Sequence, residues 1–168
     1  MSSSSRHLVL RAGFSALCLL LLAATAFGAG SKPKKEKEKT PVAAAFEMGA
    51  EQMKSGDFEA AVASFKKAVA LDEGYAEAHN NLAYSLRKAG EAHHDDALKH
   101  YNKAIELKPE LAQAYHYRGI LHVLAGDEAA AKADHDSLLK LDRELADELM
   151  KVIASGEEPE GDHGAVWK

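Results

Sequence analysis

Positions in the middle of the chain repeat with a period of 34 residues. Three glycines at the ends of helix-like segments, Gly56, Gly90 and Gly126, lie 34 and then 36 residues apart. A set of alanines shows the same two spacings in reverse order: Ala61, Ala97 and Ala131. The reversal places a two-residue insertion in the second unit, where His93 and His94 lie. A fixed period of this length is typical of proteins built from stacked structural repeats.

Each repeated unit predicts two helices joined by a turn. In the second unit, Leu82 and Leu86 precede the glycine with helical spacing, and Ala97, Tyr101 and Ala104 follow it in the same way. Glycine suits the turn because a helix often ends at a residue with positive φ, which glycine adopts at little cost. The four prolines lie outside these periodic stretches, and a β fold would need more Val, Ile and Thr. The sequence therefore predicts an all-α fold.

This pattern resembles the tetratricopeptide repeat, a helix-turn-helix unit of about 34 residues with small and aromatic residues at fixed places. The resemblance covers about residues 42–145 and implies a right-handed helical-repeat solenoid of three units, at residues 42–75, 76–111 and 112–145. The matching residues are Gly49, Gly56, Ala61, Phe65 and Ala68, then Leu82, Gly90, Ala97, Tyr101, Ala104 and Pro109, then Tyr115, Gly119, Gly126 and Ala131.

The third unit departs from the family pattern at three places. Arg118 stands where an apolar residue is usual, His135 where an aromatic is usual, and Arg143 where proline is frequent. These departures weaken the expectation of close packing in the third unit. They leave the register unchanged, because the other positions agree.

A seventh helix is predicted to cap the stack. After the third unit, Leu145, Leu149 and Val152 lie on one helical face, so residues 146–155 form the end of a capping helix. A solenoid needs such a cap, since its last repeat otherwise leaves an apolar face in water. Residues 156–168 are predicted to be an acidic, disordered tail.

The N-terminus predicts export. Two arginines open residues 1–28, an uncharged run at residues 12–29 follows, and small residues end it, as in a signal peptide. We therefore expect an exported protein of the periplasm or cell envelope. The alternative is an uncleaved anchor that tethers the chain to a membrane through residues 12–29. This run is just long enough to span a bilayer as a helix.

A flexible linker is predicted at residues 29–41, because this lysine-rich segment has nothing apolar to bury. Five lysines follow the apolar run closely, and positive charge favours the cytoplasmic side of a membrane. The linker therefore argues against simple export, and it leaves the two interpretations of the N-terminus open.

The charge balance and the absence of catalytic motifs exclude two classes of function. The chain has 21 basic and 26 acidic side chains, which argues against nucleic-acid binding through phosphates. It has no phosphate-binding glycine loop, no His-Glu-x-x-His run and no Gly-x-Ser-x-Gly elbow, and its single cysteine, Cys18, lies in the leader. We expect neither an enzyme nor a cofactor, and no intrachain disulfide.

The first helix of each unit carries a second stripe of residues at i, i+4 and i+7. By its resemblance to the family, this face lines a concave groove that binds a segment of another protein. In the middle of the groove, Tyr84, Arg87 and Lys88 offer a ring, a guanidinium and an ammonium group, which suit an acidic partner group. The candidate groove residues are Phe46, Ala50, Met53, Asn80, Asn81, Tyr84, Arg87, Lys88, His116, Tyr117, Ile120 and Val123.

Two considerations limit this groove. Some members of the family clamp a terminal carboxylate, but here only Asn81 stands at a matching place, so we do not expect clamping of that kind. The groove is also smaller if Ile120 and Val123 pack on the capping helix and Phe46 packs on the leader.

The sequence thus favours a protein–protein interaction scaffold or adaptor of the cell envelope, with an unidentified protein or peptide as its partner. One alternative is a metal carrier or sensor that uses His93, His94 and His100, although no ligand pair has the spacing of a known site. A second alternative is a structural subunit that packs into a larger envelope complex through its convex face.

Overall fold

The computed structural model describes residues 39–158. These residues form seven α-helices and a 3-10 turn at Glu91–His93, and none of them lies in a β-strand. The helices are α1 (Pro41–Lys54), α2 (Phe58–Leu71), α3 (Ala76–Ala89), α4 (His94–Leu107), α5 (Ala112–Leu124), α6 (Glu128–Leu141) and α7 (Arg143–Ser155).

The helices pack in the order of the chain. α1 packs on α2, α3 on α4 and α5 on α6, and the second helix of each pair also packs on the helix that follows it. Each of α1, α3, α5 and α7 contacts the next one in this series, so these first helices form one continuous face. The arrangement is the all-α helical-repeat solenoid that the sequence predicts, with α7 in the place of the capping helix.

The turn glycines and the aspartates after them set where the helices begin. Gly56 and Gly126 have φ values of 79° and 78°, in the left-handed region. Asp57 and Asp127 follow, and the side chain of each accepts a hydrogen bond at 3.0 Å from a backbone N–H three residues later. Such a cap stabilises a helix by about 1 kcal/mol. α1 begins at Pro41, so the first helix includes the last residue of the predicted linker.

Repeated small residues let the paired helices approach closely. Ala61, Ala97 and Ala131 are fully buried at equivalent places in the second helices. In α1, a Cβ added at Gly49 would lie 2.8 Å from the ring of Phe65 in α2, which is closer than carbon atoms pack. The positions that define the sequence period are therefore the positions where helices touch.

Arg118, which departs from the family pattern, has polar partners that account for it. Its Nε and Nη2 donate to the carboxylate of Asp134 at 3.1 and 2.5 Å, and its Nη1 donates to Oδ1 of Asn102 at 2.6 Å. Asp134 is 2% exposed and would carry an unpaired buried charge without this guanidinium. Arg118 thus ties α5 to both α6 and α4, and the departure is compensated by a charged partner.

Two histidines join α3 to α4. Nδ1 of His79 lies 3.0 Å from Nδ1 of His100, and Nε2 of His79 lies 3.1 Å from the backbone oxygen of Glu73. Because a carbonyl oxygen only accepts, neutral His79 carries its proton on Nε2, and Nδ1–H of His100 donates to Nδ1 of His79.

Both imidazoles are held in their neutral form. Burial lowers the pKa of His79, and burial together with the neighbouring His79 lowers the pKa of His100. A proton added to Nδ1 of His79 would place two N–H groups against each other. The charged groups around the pair are Lys66, Glu73, Asp96, Lys99 and Lys103.

α1 begins one residue before the predicted first unit, and α7 begins at Arg143, inside the predicted third unit. The predicted signal peptide or anchor at residues 1–28, most of the linker, and residues 159–168 lie outside the described part of the chain. Among residues 39–158, no helix is both long enough and apolar enough to cross a membrane.

We expect Arg118→Leu to lower the free energy of unfolding by about 3 kcal/mol, because it leaves the buried Asp134 carboxylate without its partner. The double variant Arg118→Leu/Asp134→Leu should recover most of this loss, since it removes both charges. Lys132→Ala, which breaks an exposed pair with Glu128, is the control and should cost no more than about 0.5 kcal/mol. Urea denaturation followed by circular dichroism measures these changes, and equal losses in the single and double variants would contradict the pairing.

The chain should also lose stability as the pH falls below about 6.5, the ordinary pKa of histidine. Because the folded pKa values of His79 and His100 are lowered, the unfolded chain binds more protons in this range and is favoured by acid. The variant His79→Leu/His100→Leu should show a shallower fall in its urea midpoint between about pH 7 and pH 5. His93→Gln, a change at an exposed histidine, should keep the original slope. An unchanged slope in the double variant would show that the pair does not titrate as described.

Candidate functional site

The last turns of α3 and α5 and the segment after α7 line one cavity of about 390 Å³. α3 contributes Arg87 and Lys88, α5 contributes Leu124, and the segment after α7 contributes Glu158. The rest of the wall comes from the turn before α4, at Gly90 and Glu91, and from the first residue of that helix, His94.

Arg87 holds its guanidinium group among aromatic rings. The residue is 4% exposed. Its Cζ lies 5.2 Å from the ring centre of Tyr84 and 5.8 Å from that of Tyr117, and the two rings meet edge to face with centroids 4.9 Å apart. Cation–π contacts of this kind contribute about 0.5 to 2 kcal/mol each. Rings from α3 and α5 therefore help to fix the guanidinium in place.

Glu158 supplies a carboxylate to this guanidinium. Its Oε2 lies 2.7 Å from Nη1 of Arg87, and its Oε1 lies 3.3 Å from Nζ of Lys88. Burial raises the pKa of Glu158. Arg87 and Lys88 oppose this effect and outweigh it, so the pKa of Glu158 lies below its ordinary value. Burial likewise opposes the charge on Arg87, whereas Tyr101 and Glu158 raise its pKa above the usual range. The pair is therefore a charged, largely buried salt bridge at neutral pH.

The two-residue insertion shapes the wall of this cavity. Gly90 has a φ of 139°, unlike the 79° of Gly56, and a 3-10 turn at Glu91–His93 precedes α4. His93 makes no side-chain cap for α4, whereas an aspartate caps the second helix in each of the other two units. The insertion thus places a longer turn, without a capping carboxylate, beside Arg87.

The residues of the predicted groove lie on the first helices, and most of them are buried. Half-buried positions are Phe46 and Val123, and Lys88 is exposed. The buried residues are Ala50, Met53, Asn80, Asn81, Tyr84, Arg87, His116, Tyr117 and Ile120. The end of the predicted groove at Lys88 is therefore its accessible part.

The apolar ends of the predicted groove are packed within the repeats. Phe46 stacks on Tyr75 with ring centroids 4.8 Å apart and meets Phe65 edge-on at 5.5 Å. Ile120 is 3% exposed, and Val123 packs against the same core cluster. These contacts favour the smaller of the two grooves considered from the sequence.

The histidines considered as metal ligands do not form a common site. His93 ends the turn and His94 begins α4, whereas His100 contacts His79. In the described part of the chain, no group of three or more His, Cys, Asp or Glu side chains is arranged to hold a metal ion. The geometry favours the salt bridge at Arg87 over these histidines as the functional site.

Sequence reasoning missed Glu158, which it placed in a disordered tail. The side chain is instead tied to Arg87 and to Lys88, 70 residues earlier in the chain. Two sequence signals bear on this contact without identifying Glu158: the predicted preference of the groove for an acidic group, and the Ser-Gly-Glu sequence at 155–157, which repeats the Ser-Gly-Asp at 55–57. The second signal marks α7 as the first helix of a repeat, with its end at the same edge as those of α3 and α5.

Comparison with known proteins agrees with the fold. The Hsp70-Hsp90 organizing protein of Triticum aestivum is 37% identical over 91 residues, which are 52% of this chain but only 15% of that protein. The TPR2B domain of yeast Sti1 in complex with pHsp70 superposes with a TM-score of 0.64 at 21% identity, over 71% of this chain and 100% of that one. The first TPR domain of Spaghetti (RPAP3), bound to the HSP90 peptide SRMEEVD, superposes with a TM-score of 0.62 at 23% identity, over 68% of this chain and 91% of that one.

A sequence model of the TPR repeat family matches residues 49–90 and 93–126. The two matched segments are separated only at the insertion, and together they contain the whole of α2, α3, α4 and α5. Residues 49–90 and 93–126 are thus similar to the tetratricopeptide repeat family, and the solved structures share the fold.

Proposed function

We propose that this chain is a protein-binding adaptor that receives an acidic residue of a partner segment at Arg87 and Lys88. The observation that carries this proposal is the buried guanidinium of Arg87, packed against two tyrosine rings and 2.7 Å from a carboxylate. An isolated buried charge is costly, so this position is suited to a carboxylate in particular. The cavity beside it provides room for the residues that flank such a carboxylate in a bound segment.

Proteins of the same fold support an acidic partner. The peptide bound to the first TPR domain of Spaghetti (RPAP3), SRMEEVD, contains two glutamates and ends in aspartate. In this chain the only match to a terminal-carboxylate clamp, Asn81, is 3% exposed. We therefore propose that the recognised group is an acidic side chain within a segment, not the end of a chain.

A structural subunit that packs through its second helices is the competing function. Leu139 in α6 is 46% exposed, and Leu71 at the end of α2 is 47% exposed. Scattered exposed leucines are common on soluble proteins. The exposed leucines therefore serve as a control surface in a cross-linking experiment. The buried charge at Arg87 favours the adaptor.

We further propose that the adaptor works in the cell envelope, on the basis of the export pattern in residues 1–28. N-terminal sequencing of the protein from its own cells should find a chain that begins at residue 27 or residue 29 in the envelope fraction. A membrane-bound chain that retains its first residues would favour the anchor through residues 12–29. A full-length chain in the cytosolic fraction would contradict export.

The partner surface can be tested with a photo-reactive residue, p-benzoylphenylalanine, placed in the living cell at Glu91. This position is exposed and lines the cavity beside Arg87, so the change leaves the salt bridge intact. The matched control carries the same residue at Leu139 on α6. We expect a covalent adduct from position 91 and none from position 139, and mass spectrometry should locate it within a segment rich in Asp and Glu.

Adducts formed only from position 139 would move the interface to the second helices and favour the structural subunit. Adducts from position 91 to segments without acidic residues would contradict the proposed recognition of a carboxylate. Circular dichroism of both labelled chains confirms that they remain helical.

A further inference from the structure

The carboxylate at Arg87 comes from the chain's own C-terminal segment. Gly156 ends α7 with a φ of 72°, and its N–H donates to the carbonyl oxygen of Val152 at 2.9 Å. The hydroxyl oxygen of Ser155 then accepts a hydrogen bond from the N–H of Glu157 at 3.2 Å. This turn at the end of α7 leads Glu158 towards α3.

The contact at Glu158 lies outside the helical framework. α7 ends at Ser155, and Glu158 belongs to none of the seven helices. Its side chain is 27% exposed, whereas that of Arg87 is 2% exposed. Because no helix has to open for Glu158 to leave, another carboxylate can take its place on a guanidinium that is already held by Tyr84 and Tyr117.

We propose that Glu158 is an intramolecular competitor, which closes the site at Arg87 until the acidic residue of a partner displaces it. This inference rests on the proposed function, because it concerns the regulation of the same site. A group tethered by a short segment acts at an effective concentration on the order of millimolar. The apparent dissociation constant of a partner equals its intrinsic value divided by the fraction of molecules in which Glu158 is released, so it rises as that fraction falls.

The chain offers a matched control at the neighbouring residue. Glu157 has the same charge and lies in the same turn, but its side chain is exposed. Glu158→Gln and Glu157→Gln therefore change the net charge of the tail equally. They differ in whether they remove the carboxylate that faces Arg87.

The test uses a fluorescein-labelled peptide of residues 156–168 as the probe and the whole chain as its receptor, with binding measured by fluorescence anisotropy. The intact chain and Glu157→Gln should bind the peptide weakly, because their own Glu158 occupies the site. Glu158→Gln and Glu158→Ala should bind it about tenfold more tightly. The peptide that itself carries Glu158→Gln should lose this gain.

Equal affinity of the peptide for the intact chain and for both Glu158 variants would overturn the intramolecular competitor, while the acidic site of the proposed function would stand. No binding by any form, with helicity retained by circular dichroism, would overturn the acidic site and both proposals with it. A gain in Glu157→Gln as large as in Glu158→Gln would assign the effect to tail charge alone and would also contradict the inference.

Discussion

The close approach of the helices within and between repeats determines the rest of this structure. A Cβ at Gly49 would lie 2.8 Å from the ring of Phe65, and a Cβ at Gly119 would lie 2.4 Å from Leu149. These glycines set the spacing between a first helix and the helix packed on it. Since the first helices have nearly the same length, this spacing brings the ends of α3 and α5, with Arg87 and Leu124, to one edge of the stack, where the cavity forms.

The fold could be predicted from the sequence because the same residues mark the period and make the contacts. Ala61, Ala97 and Ala131 recur at fixed places, and each is fully buried against a neighbouring helix. The salt bridge between Arg118 and Asp134 could not be predicted, because Arg118 breaks the pattern and nothing in the pattern marks Asp134 as its partner. The pattern alone makes Arg118 a weakness, whereas the pairing depends on a distance between two helices that a single sequence does not supply.

The candidate site was predictable in its chemistry but not in its partner. The stripe on α3 identified Tyr84, Arg87 and Lys88 and the preference for an acidic group. The burial of Tyr84 and Arg87 was not predictable, because in short helices the stripe at i, i+4 and i+7 also forms the contact between adjacent first helices. Glu158 follows no period, and its contact to Lys88 spans 70 residues, so only the folded chain brings the two together.

A site closed by its own carboxylate has consequences for the choice of partner. An isolated acidic side chain makes only the contacts with Arg87 and Lys88 that Glu158 already makes, so it displaces Glu158 poorly. A segment that also fills the cavity beside the longer turn of the second unit gains further contacts with Gly90, His94 and Leu124. Competition from Glu158 therefore weakens the apparent affinity of every acidic segment for the site. The additional contacts decide which segments still bind. In this way the insertion and the C-terminal segment together turn a general preference for negative charge into selection by shape.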